Sequence, residues 1–248
     1  MAEGSVIAVT GASRGIGACI VMALARRGFT VGCLSRKGLG PEDKTLPPDL
    51  AARCIDIACD VTDEARVGSA LRTLADRAGR IDGVVNDAGL YLEGQSHEVA
   101  TADFERVLAT NVTGPFVVCR EAYPHLVAAG GGTIVNLGSF FGKLGTRSAL
   151  AYTASKAAID ALTRSLAVEW AKQRIRVLCV APGFVATDLN REHLAQDKMR
   201  RFLEQRIPTG GPCEPEEIAR LIAMLLSEDL PFLTGETIYI DGGQGIAH

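Results

Sequence analysis

The sequence predicts an α/β protein with a doubly wound parallel sheet, arranged in three α/β/α layers. Two observations favour this class. Short runs of apolar and β-branched residues alternate with longer helical patterns along the whole chain. The short runs are apolar throughout, which is typical of strands that are buried on both faces of a parallel sheet. Right-handed crossovers between such strands place helices on both faces.

The predicted elements follow one another without a break. In chain order, the strand candidates are SVIAVT, TVGCLS, ARCIDIAC, GVVND, GTIVNLG, IRVLCVAPG and ETIYID. The helix candidates between them span residues 15–27, 64–78, 101–110, 114–129, 152–173 and 215–226. KGLGPEDKTLPPDL (37–50) has the composition of a surface loop, and no Pro- or Ser-rich linker divides the chain. We therefore expect a single domain over residues 1–248.

The composition argues against several function classes. Charges nearly balance, with 26 Lys and Arg against 29 Asp and Glu, so no nucleic-acid or anionic-membrane surface is expected. The seven cysteines and four histidines are scattered, which indicates buried thiols in a reducing compartment and no metal site. The chain has neither a signal-peptide pattern nor an apolar run of membrane-spanning length, so we expect a cytoplasmic protein.

The stretch TGASRGIG lies at the carboxyl end of the first predicted strand and opens the first helix. Gly11, Gly15 and Gly17 allow a tight turn and let the backbone approach a pyrophosphate, whose charge a helix N-terminus favours. Doubly wound sheets bind their ligands at this edge. The motif therefore favours a dinucleotide site of the Rossmann kind. A plain glycine-rich surface turn is the alternative.

The stretch YTASK suggests acid–base chemistry. Tyr152 and Lys156 stand one turn apart on one helix face, where an ammonium would favour the phenolate and lower the pKa of the phenol. Ser139 ends the fifth strand on the ligand side, where its hydroxyl could bond a carbonyl. Asn111 interrupts an apolar helix, which indicates a local kink that holds a water. An ordinary surface Tyr/Lys pair and a serine cap are the alternatives.

With these motifs, the chain resembles the short-chain dehydrogenase/reductase family over essentially its whole length. Its overall pattern is most similar to 3-oxoacyl-acyl-carrier-protein reductases. CDVTD resembles the family's adenine motif, APGFVATDL the segment along the nicotinamide carboxamide, and DGG the C-terminal turn. NDAG falls where the family usually has Asn-Asn-Ala-Gly, so Asp87 is a departure from that pattern. The cofactor-binding residues that the resemblance implies are Gly11, Ser13, Arg14, Gly15, Ile16, Gly17, Ser35, Arg36, Asp60, Val61, Asn86, Ala88, Gly89, Tyr152, Lys156, Pro182, Gly183, Val185 and Thr187.

The resemblance also implies catalytic roles. Tyr152 would be the general acid in reduction and the general base in oxidation. Lys156 would lower the pKa of that phenol and bind the nicotinamide ribose. Ser139 would orient the substrate carbonyl, and Asn111 would hold the water of a proton relay. Hydride transfer itself belongs to the nicotinamide cofactor.

The charges around the second strand favour NADP(H) over NAD(H). NAD-preferring relatives carry an acidic residue at the end of that strand, which would repel a 2′-phosphate. Here the strand ends in Ser35, Arg36 and Lys37, and Arg14 lies before the second loop glycine. Guanidinium groups suit phosphate in both geometry and charge. The alternative is that Arg36 is only a solvated loop residue.

The substrate is less well defined. We expect an NADPH-dependent reductase of a ketone, with a 3-oxoacyl thioester of acyl-carrier protein or coenzyme A as one candidate. SALAY departs from the Gln and Asn that usually precede the tyrosine in acyl-carrier-protein reductases. The alternatives are a secondary-alcohol, sugar or steroid dehydrogenase and, outside the enzymes, a dinucleotide sensor. The substrate-lining candidates are Phe140, Phe141, Leu150 and Phe184, with Tyr91 and Glu93.

Two further expectations concern moving parts and assembly. Residues 189–207 are charged and carry no strong apolar stripe, and they fall where the family has its mobile substrate lid. The family resemblance implies a homotetramer. AAIDALTRSLAVEWA is apolar on more than one face, as a helix buried against a second subunit would be.

Overall fold

The structure, a computed structural model, describes residues 4–42, 46–187 and 190–247. These residues form a seven-stranded sheet in the order β3-β2-β1-β4-β5-β6-β7, and every pair of neighbours is parallel. The predicted doubly wound sheet is therefore confirmed. The strands are β1 (Val6–Thr10), β2 (Thr30–Ser35), β3 (Cys54–Ala58), β4 (Gly83–Asn86), β5 (Gly132–Leu137), β6 (Ile175–Pro182) and β7 (Thr237–Ile240).

Helices cover both faces of this sheet. The helices are α1 (Gly15–Arg26), α2 (Pro48–Ala51), α3 (Glu64–Ala78), α4 (Thr101–Leu108), α5 (Gly114–Ala128), α6 (Leu150–Trp170), α7 (Arg191–Ala195), α8 (Asp197–Arg206) and α9 (Pro215–Ser227). Helices α3, α5 and α6 bury their apolar sides against one face of the sheet. Helices α1 and α9 pack on the other face. The result is the expected three-layer arrangement with one core on each side of the sheet.

Several predicted boundaries were wrong. Helix α4 ends at Leu108, and a π-helical turn (Ala109–Thr113) joins it directly to α5. Helix α6 begins at Leu150, two residues before the predicted start, and its end tightens into a 3₁₀ turn (Ala171–Gln173). The stretch that was predicted as a loop over 37–50 contains the short helix α2, which begins with Pro48 and buries Leu50.

The proposed lid segment is helical. Of the predicted range 189–207, Leu189 lies outside the described residues, and helices α7 and α8 form most of the rest. Leu194, Leu203 and Ile207 are buried together with Ala186 in a cluster separate from the two main cores. The expected lack of a strong apolar stripe fits α8, in which Leu203 is the one buried residue among those described, and the small cluster forms only once the two helices pack together.

Parallel strands bring the motif-bearing segments to one edge of the sheet. The glycine-rich loop follows β1, NDAG continues from the end of β4, Ser139 follows β5, and Gly183 follows β6. Helix α6 carries Tyr152 and Lys156 toward the same edge. Within the described ranges, no helix combines the length and the apolar character that a membrane crossing requires.

Candidate active site

The loop between β1 and α1 is a turn that only glycine can form at key positions. Gly11 and Gly15 have φ values of +70° and +57°, in the left-handed region. A Cβ on Gly17 would lie 2.2 Å from the carbonyl oxygen of Gly11. Arg14, the N-cap residue of α1, gives no side-chain cap to the helix. This tight backbone and the N-terminus of α1 fit a diphosphate, whose negative charge such a terminus favours.

The glycine loop is fixed to the segment that follows β4. The hydroxyl of Thr10 accepts hydrogen bonds from the backbone N–H groups of Asp87 at 3.1 Å and Ala88 at 3.2 Å. A Cβ on Gly11 would lie 2.9 Å from the backbone nitrogen of Ala88. The two segments are therefore in direct contact. Sequence reasoning missed Thr10, whose only signal was a hydroxyl residue at the end of an otherwise apolar strand.

The loop after β2 lies at the end of the cleft where the sequence predicts the adenosine of a dinucleotide. Ser35 is buried, and its hydroxyl donates to the carbonyl of Leu39 at 2.7 Å and accepts from the Leu39 N–H at 2.9 Å. The backbone N–H of Glu42 donates to the carbonyl of Ser13 at 2.8 Å, which ties this loop to the glycine loop. The hydroxyl of Ser35 thus stabilises the turn, and its single proton is used there.

Two exposed arginines border this end of the cleft. Arg14 and Arg36 both have exposed side chains. The backbone N–H and hydroxyl of Thr62 bind the carboxylate of Asp60 and hold its pKa below the usual range, and the charges of Arg36 and Arg66 act in the same direction. Arg36 is therefore near Asp60, the predicted adenine-contacting residue.

The side chain of Asn86 lies in the interior of the protein. Its amide nitrogen donates to the carbonyl oxygen of Asn136 at 2.9 Å, and Asn136 in turn donates to the hydroxyl of Thr163 at 3.0 Å. This buried chain links β4, β5 and α6. The amide nitrogen of Asn86 thus supports the sheet behind the cleft, whereas its side-chain oxygen is buried without a hydrogen-bond partner among the described residues, and its contact with the cofactor stays a prediction.

Lys156 and Tyr152 lie one turn apart on α6. The ammonium of Lys156 is buried and donates to the carbonyl of Leu137, the last residue of β5, at 2.6 Å. It lies 5.5 Å from the centroid of the Tyr152 ring. The helix is thus anchored to the strand end by a charge-assisted hydrogen bond, and the cation is held beside the phenol.

Ser139 is positioned by the turn that follows it. Its hydroxyl oxygen accepts a hydrogen bond from the backbone N–H of Phe141 at 3.2 Å. The turn packs on α6, since a Cβ on Gly142 would lie 3.3 Å from the backbone carbonyl of Lys156. The bond to Phe141 uses one lone pair of the serine oxygen, and the hydroxyl proton can be donated toward the cleft.

Asn111 occupies the π-helical turn between α4 and α5. Its side-chain oxygen accepts from the N–H of Leu90 at 2.7 Å. Its amide nitrogen donates to the carbonyl of Leu90 at 2.9 Å and to the hydroxyl of Ser155 at 3.0 Å. The expected break in the helix is present, and π turns of this kind are frequent at functional sites. The water that we expected at this position remains a prediction.

Aromatic side chains form the wall beside Ser139. Phe140 and Phe141 stack with their centroids 4.1 Å apart, and Phe184 lies 5.5 Å from Phe140. Phe140 is 2% exposed, so it lies behind the wall, and its predicted place in the lining was wrong. Phe141 and Phe184 are partly exposed. Leu150, at 47% exposure, lies on the outer rim.

A second aromatic pair lies at the mouth of the cleft. The ring of Tyr91 packs edge to face on that of Tyr152, with centroids 5.0 Å apart. The Tyr91 hydroxyl donates to the carboxylate of Glu93 at 2.9 Å. Partial burial, the bond to Glu93 and its negative charge raise the pKa of Tyr91 to about 12. Tyr91 therefore keeps its proton near neutral pH.

The segment after β6 crosses the opening of the glycine loop. A Cβ on Gly15 would lie 3.7 Å from the methyl group of Thr187. Val185 pairs with Cys213 in an isolated bridge, and the side chain of Asn190 accepts from the Thr187 N–H at 2.8 Å. The predicted carboxamide segment is thus held across the cleft from the loop. Pro182 ends β6, and Gly183 contacts the C-terminal turn.

The structure brings most of the predicted site residues together. Those at the cleft edge of the sheet are Gly11, Ser13, Arg14, Gly15, Ile16, Gly17, Arg36, Asp60, Ala88, Gly89, Asn111, Ser139, Tyr152, Lys156, Gly183, Val185 and Thr187. Val61 is buried against α5, where its methyl carbon lies 3.0 Å from a Cβ built on Gly114. Among the described residues, no group of three His, Cys, Asp or Glu side chains could hold a metal ion.

Comparison with known proteins agrees with this geometry. A family model described as Enoyl-(Acyl carrier protein) reductase matches residues 11–244. A human 3-oxoacyl-acyl-carrier-protein reductase is 35% identical and covers 96% of this chain and 97% of its own length. The D-threitol dehydrogenase of Mycolicibacterium smegmatis is 36% identical, over 98% of this chain and 94% of its own.

Solved structures give the same result. A short-chain type dehydrogenase/reductase from Mycobacterium marinum superposes with a TM-score of 0.90 at 32% identity, over 99% and 97% of the two chains. ElxO with NADP bound gives 0.89 at 28% identity, over 97% and 98%. The 3-ketoacyl-acyl-carrier-protein reductase of Brucella melitensis complexed with NADH gives 0.88 at 28% identity, over 98% and 99%.

The chain belongs to the short-chain dehydrogenase/reductase family, and the resemblance that the motifs suggested is confirmed. It is an oxidoreductase of the kind that acts on CH–OH and C=O groups with a nicotinamide dinucleotide.

Proposed function

We propose that the protein is an NADPH-dependent reductase that converts a ketone into a secondary alcohol. The observation that carries this proposal is the arrangement of two groups at one sheet edge. The glycine turn with the α1 N-terminus lies on one side, and Ser139 with Tyr152 and Lys156 lies on the other. When bound, the nicotinamide cofactor supplies a hydride to the substrate carbonyl or accepts one from an alcohol.

The proton chemistry belongs to the chain's own residues. Tyr152 donates a proton to the carbonyl oxygen in reduction, and Ser139 donates a hydrogen bond to the same oxygen and orients it. Lys156 places its positive charge near the ring of Tyr152, and the bond to Leu137 keeps the ammonium there. Asn111 fixes the π turn and the segment at Leu90, from which a proton relay through water would start.

The preference for NADPH rests on charge. Arg14 and Arg36 are both exposed on the adenosine side, and the chain has no acidic residue at the end of β2 that would repel a 2′-phosphate. One related structure contains NADP and another contains NADH, so the relatives do not favour either cofactor. The choice of NADPH therefore rests on Arg14 and Arg36. Ser35 contributes through the shape of the turn, because its hydroxyl is already bonded within it.

The reductive substrate class that fits best is a 3-oxoacyl thioester or a similar hydrophobic ketone. Phe141 and Phe184 offer an apolar wall next to Ser139. The family description and the human relative both name acyl-carrier-protein chemistry. Helices α7 and α8, which pack through their own small apolar cluster, would form the mobile lid over this wall.

One observation favours a second candidate, a dehydrogenase of polyhydroxylated alcohols. The mouth of the cleft presents the hydroxyl of Tyr91 and the carboxylate of Glu93, and both are polar groups that suit hydroxyls more than an acyl chain. The relative that acts on D-threitol supports this reading. A dinucleotide sensor is disfavoured, because Asn111, Ser139, Tyr152 and Lys156 are all present.

The proposal extends to assembly and location. Val168 on α6 is 83% exposed and Phe232 is fully exposed, which suits burial in a homotetramer. The seven cysteines are scattered along the sequence without the spacing of a disulfide framework, which fits the reducing cytoplasm that we propose as the location. Light scattering of the purified chain tests the assembly, and a monomeric mass would contradict it.

The central experiment is a substrate panel assayed with NADPH and NADH separately. The panel contains acetoacetyl thioesters, small ketones, and polyols such as threitol in the oxidative direction. We expect the highest kcat/KM for a ketone or acyl thioester with NADPH. Turnover of polyols alone would replace the first candidate with the second. Absence of turnover with every substrate, together with intact NADPH binding, would favour the sensor.

A further inference from the structure

Asp87 is a carboxylate in the middle of the cofactor cleft. Its backbone is fixed by the bond to the Thr10 hydroxyl, directly after β4. Its side chain lies beneath the glycine turn. A Cβ on Gly17 would lie 2.6 Å from the Asp87 carboxylate oxygen Oδ2, and one on Gly11 would lie 3.1 Å from the same oxygen. No other acidic group is placed in such contact with two glycines of this loop in the part of the chain that the structure describes.

The carboxylate binds the first turn of helix α1. The backbone N–H of Gly17, the third residue of the helix, donates a hydrogen bond to Asp87. The first turn of a helix carries N–H groups without partners inside the helix, and its partial positive charge attracts anions. Since Arg14 gives no side-chain cap, Asp87 supplies from the segment after β4 the negative group that such a terminus favours. The same terminus is where a cofactor diphosphate would bind.

We propose that cofactor binding is coupled to protonation of Asp87, so that the neutral acid permits tight binding and the carboxylate anion opposes it. This inference rests on the proposed dinucleotide function. Two anions at one helix terminus repel each other and compete for the same N–H dipoles. A bound diphosphate therefore raises the affinity of Asp87 for a proton, and by linkage the proton raises the affinity for the diphosphate.

The groups around Asp87 determine the pH at which this coupling acts. Burial raises the pKa of Asp87 to about 7. The charge of Lys156 on α6 and the Gly17 N–H on α1 both act in the opposite direction. Thr10 and Gly11 on the β1 side are uncharged. Both forms of the carboxyl group are therefore populated near neutral pH in the free protein, and cofactor affinity should fall as the pH rises above 7.

Asparagine is the matched replacement for testing this coupling. The amide oxygen of Asp87→Asn can still accept the Gly17 N–H, and the side chain keeps its size, but it carries no charge at any pH. Asp103→Asn serves as the control, because Asp103 is an exposed residue of α4 whose partner is Arg106. Thermal melting of both variants shows whether each is folded.

The experiment measures the dissociation constants of NADPH and NADH by fluorescence titration at pH 6, 7 and 8. Both cofactors are needed because the 2′-phosphate of NADPH itself titrates near pH ~6. The pKa of Asp87 in the free protein is about 7. The dissociation constant of the wild type should therefore be close to that of Asp87→Asn at pH 6 and about ten times larger at pH 8. We expect this ratio for both cofactors, and we expect Asp103→Asn to follow the wild type.

Three results would overturn the inference while leaving the proposed function intact. The first is a ratio that does not change with pH. The second is a pH dependence seen with NADPH alone, which would assign it to the 2′-phosphate. The third is the absence of proton uptake when the wild type binds NADH at pH 8. Calorimetry in two buffers of different ionisation enthalpy measures this uptake. If neither cofactor bound at any pH, the proposed function itself would fail.

Discussion

The part of the cleft that we propose for the cofactor, around the glycine loop, and the part that we propose for the substrate, around Tyr91, Phe141 and Leu150, are built in different ways; we call them the cofactor half and the substrate half. The cofactor half consists of backbone packed on backbone, such as Gly17 against the carbonyl of Gly11 and Ala88 against the glycine loop. The substrate half consists of side chains on loops and at the start of α6, and Tyr91 and Leu150 are each 47% exposed. Backbone contacts tolerate few residue types, whereas an exposed rim tolerates many. We therefore expect mutations to separate the two halves clearly.

The largest effect should come from the residue where the two halves meet. Tyr152→Phe removes the acidic proton and keeps the ring, so turnover should fall by about 10²- to 10⁴-fold. Cofactor affinity, measured by fluorescence titration, should change far less, because Lys156 and the glycine loop still bind the cofactor. Tyr91→Phe is the control, since its ring lies 5.0 Å from that of Tyr152 and it too loses only a hydroxyl. Equal losses in both variants would contradict the assignment of Tyr152 as the proton donor.

The next effect tests how rigid the cofactor half is. In Gly17→Ala the new methyl group would meet the Gly11 carbonyl at 2.2 Å and Asp87 at 2.6 Å. The backbone must shift, which should cost about 1–3 kcal/mol of stability and weaken cofactor binding. Gly145→Ala is the control, because nothing lies within 4 Å of a Cβ there. The measurements are the melting temperature and the NADPH dissociation constant, and a Gly17 variant as stable as the control would count against this packing.

The sequence predicts the cofactor half of the cleft better than the substrate half. The strands were predictable because each is apolar throughout, and the order of the motifs along parallel strands predicted where they meet. Boundaries were missed where local geometry departs from regular helix. The π turn at Asn111 fits one extra residue into the helix, and no periodicity of side chains reveals it.

The substrate half was less predictable because burial there depends on partners distant in the sequence. Phe140 and Phe141 are adjacent and identical, yet only Phe140 is buried, since the 3₁₀ turn points it toward Phe184 and the interior. Leu194 and Leu203 become a cluster only when α7 and α8 pack together. The use of the Ser35 hydroxyl in its own turn likewise depends on the fold of a loop that the composition alone does not determine.

A third prediction concerns the exposed part of the cofactor half. Arg36→Ala should weaken NADPH binding by about 10- to 100-fold, as expected for loss of a hydrogen bond between charged groups, and leave NADH binding unchanged. Arg26→Ala is the control, because Arg26 is exposed at the opposite end of α1. The measurement is the ratio of the two dissociation constants. An unchanged ratio would show that Arg36 is only a solvated loop residue.

A smaller effect is expected at the mouth of the substrate half. Glu93→Gln keeps an acceptor for the Tyr91 hydroxyl but removes the charge. Because the site is exposed, KM should change by about two- to fivefold, upward for polyols and downward for acidic substrates, with cofactor affinity unaffected. Glu98→Gln, an exposed residue a few positions along the chain, is the control. The same shift for every substrate would mean that Glu93 has no part in selecting between them.

The last prediction is a pH-dependent change in stability at Asp87. Burial raises its pKa in the folded protein to about 7, whereas an unfolded chain has the ordinary value of 3.8. The folded state therefore holds the proton more tightly, and stability is lost as the pH rises from the lower value to the higher one. Asp87→Asn removes this loss, so its gain in melting temperature over the wild type should be larger at pH 8 than at pH 5. Melting curves of the cofactor-free protein at the two pH values measure it. A gain of the same size at both pH values would mean that the carboxyl group ionises as readily in the folded chain as in the unfolded one, which would contradict the raised pKa of Asp87.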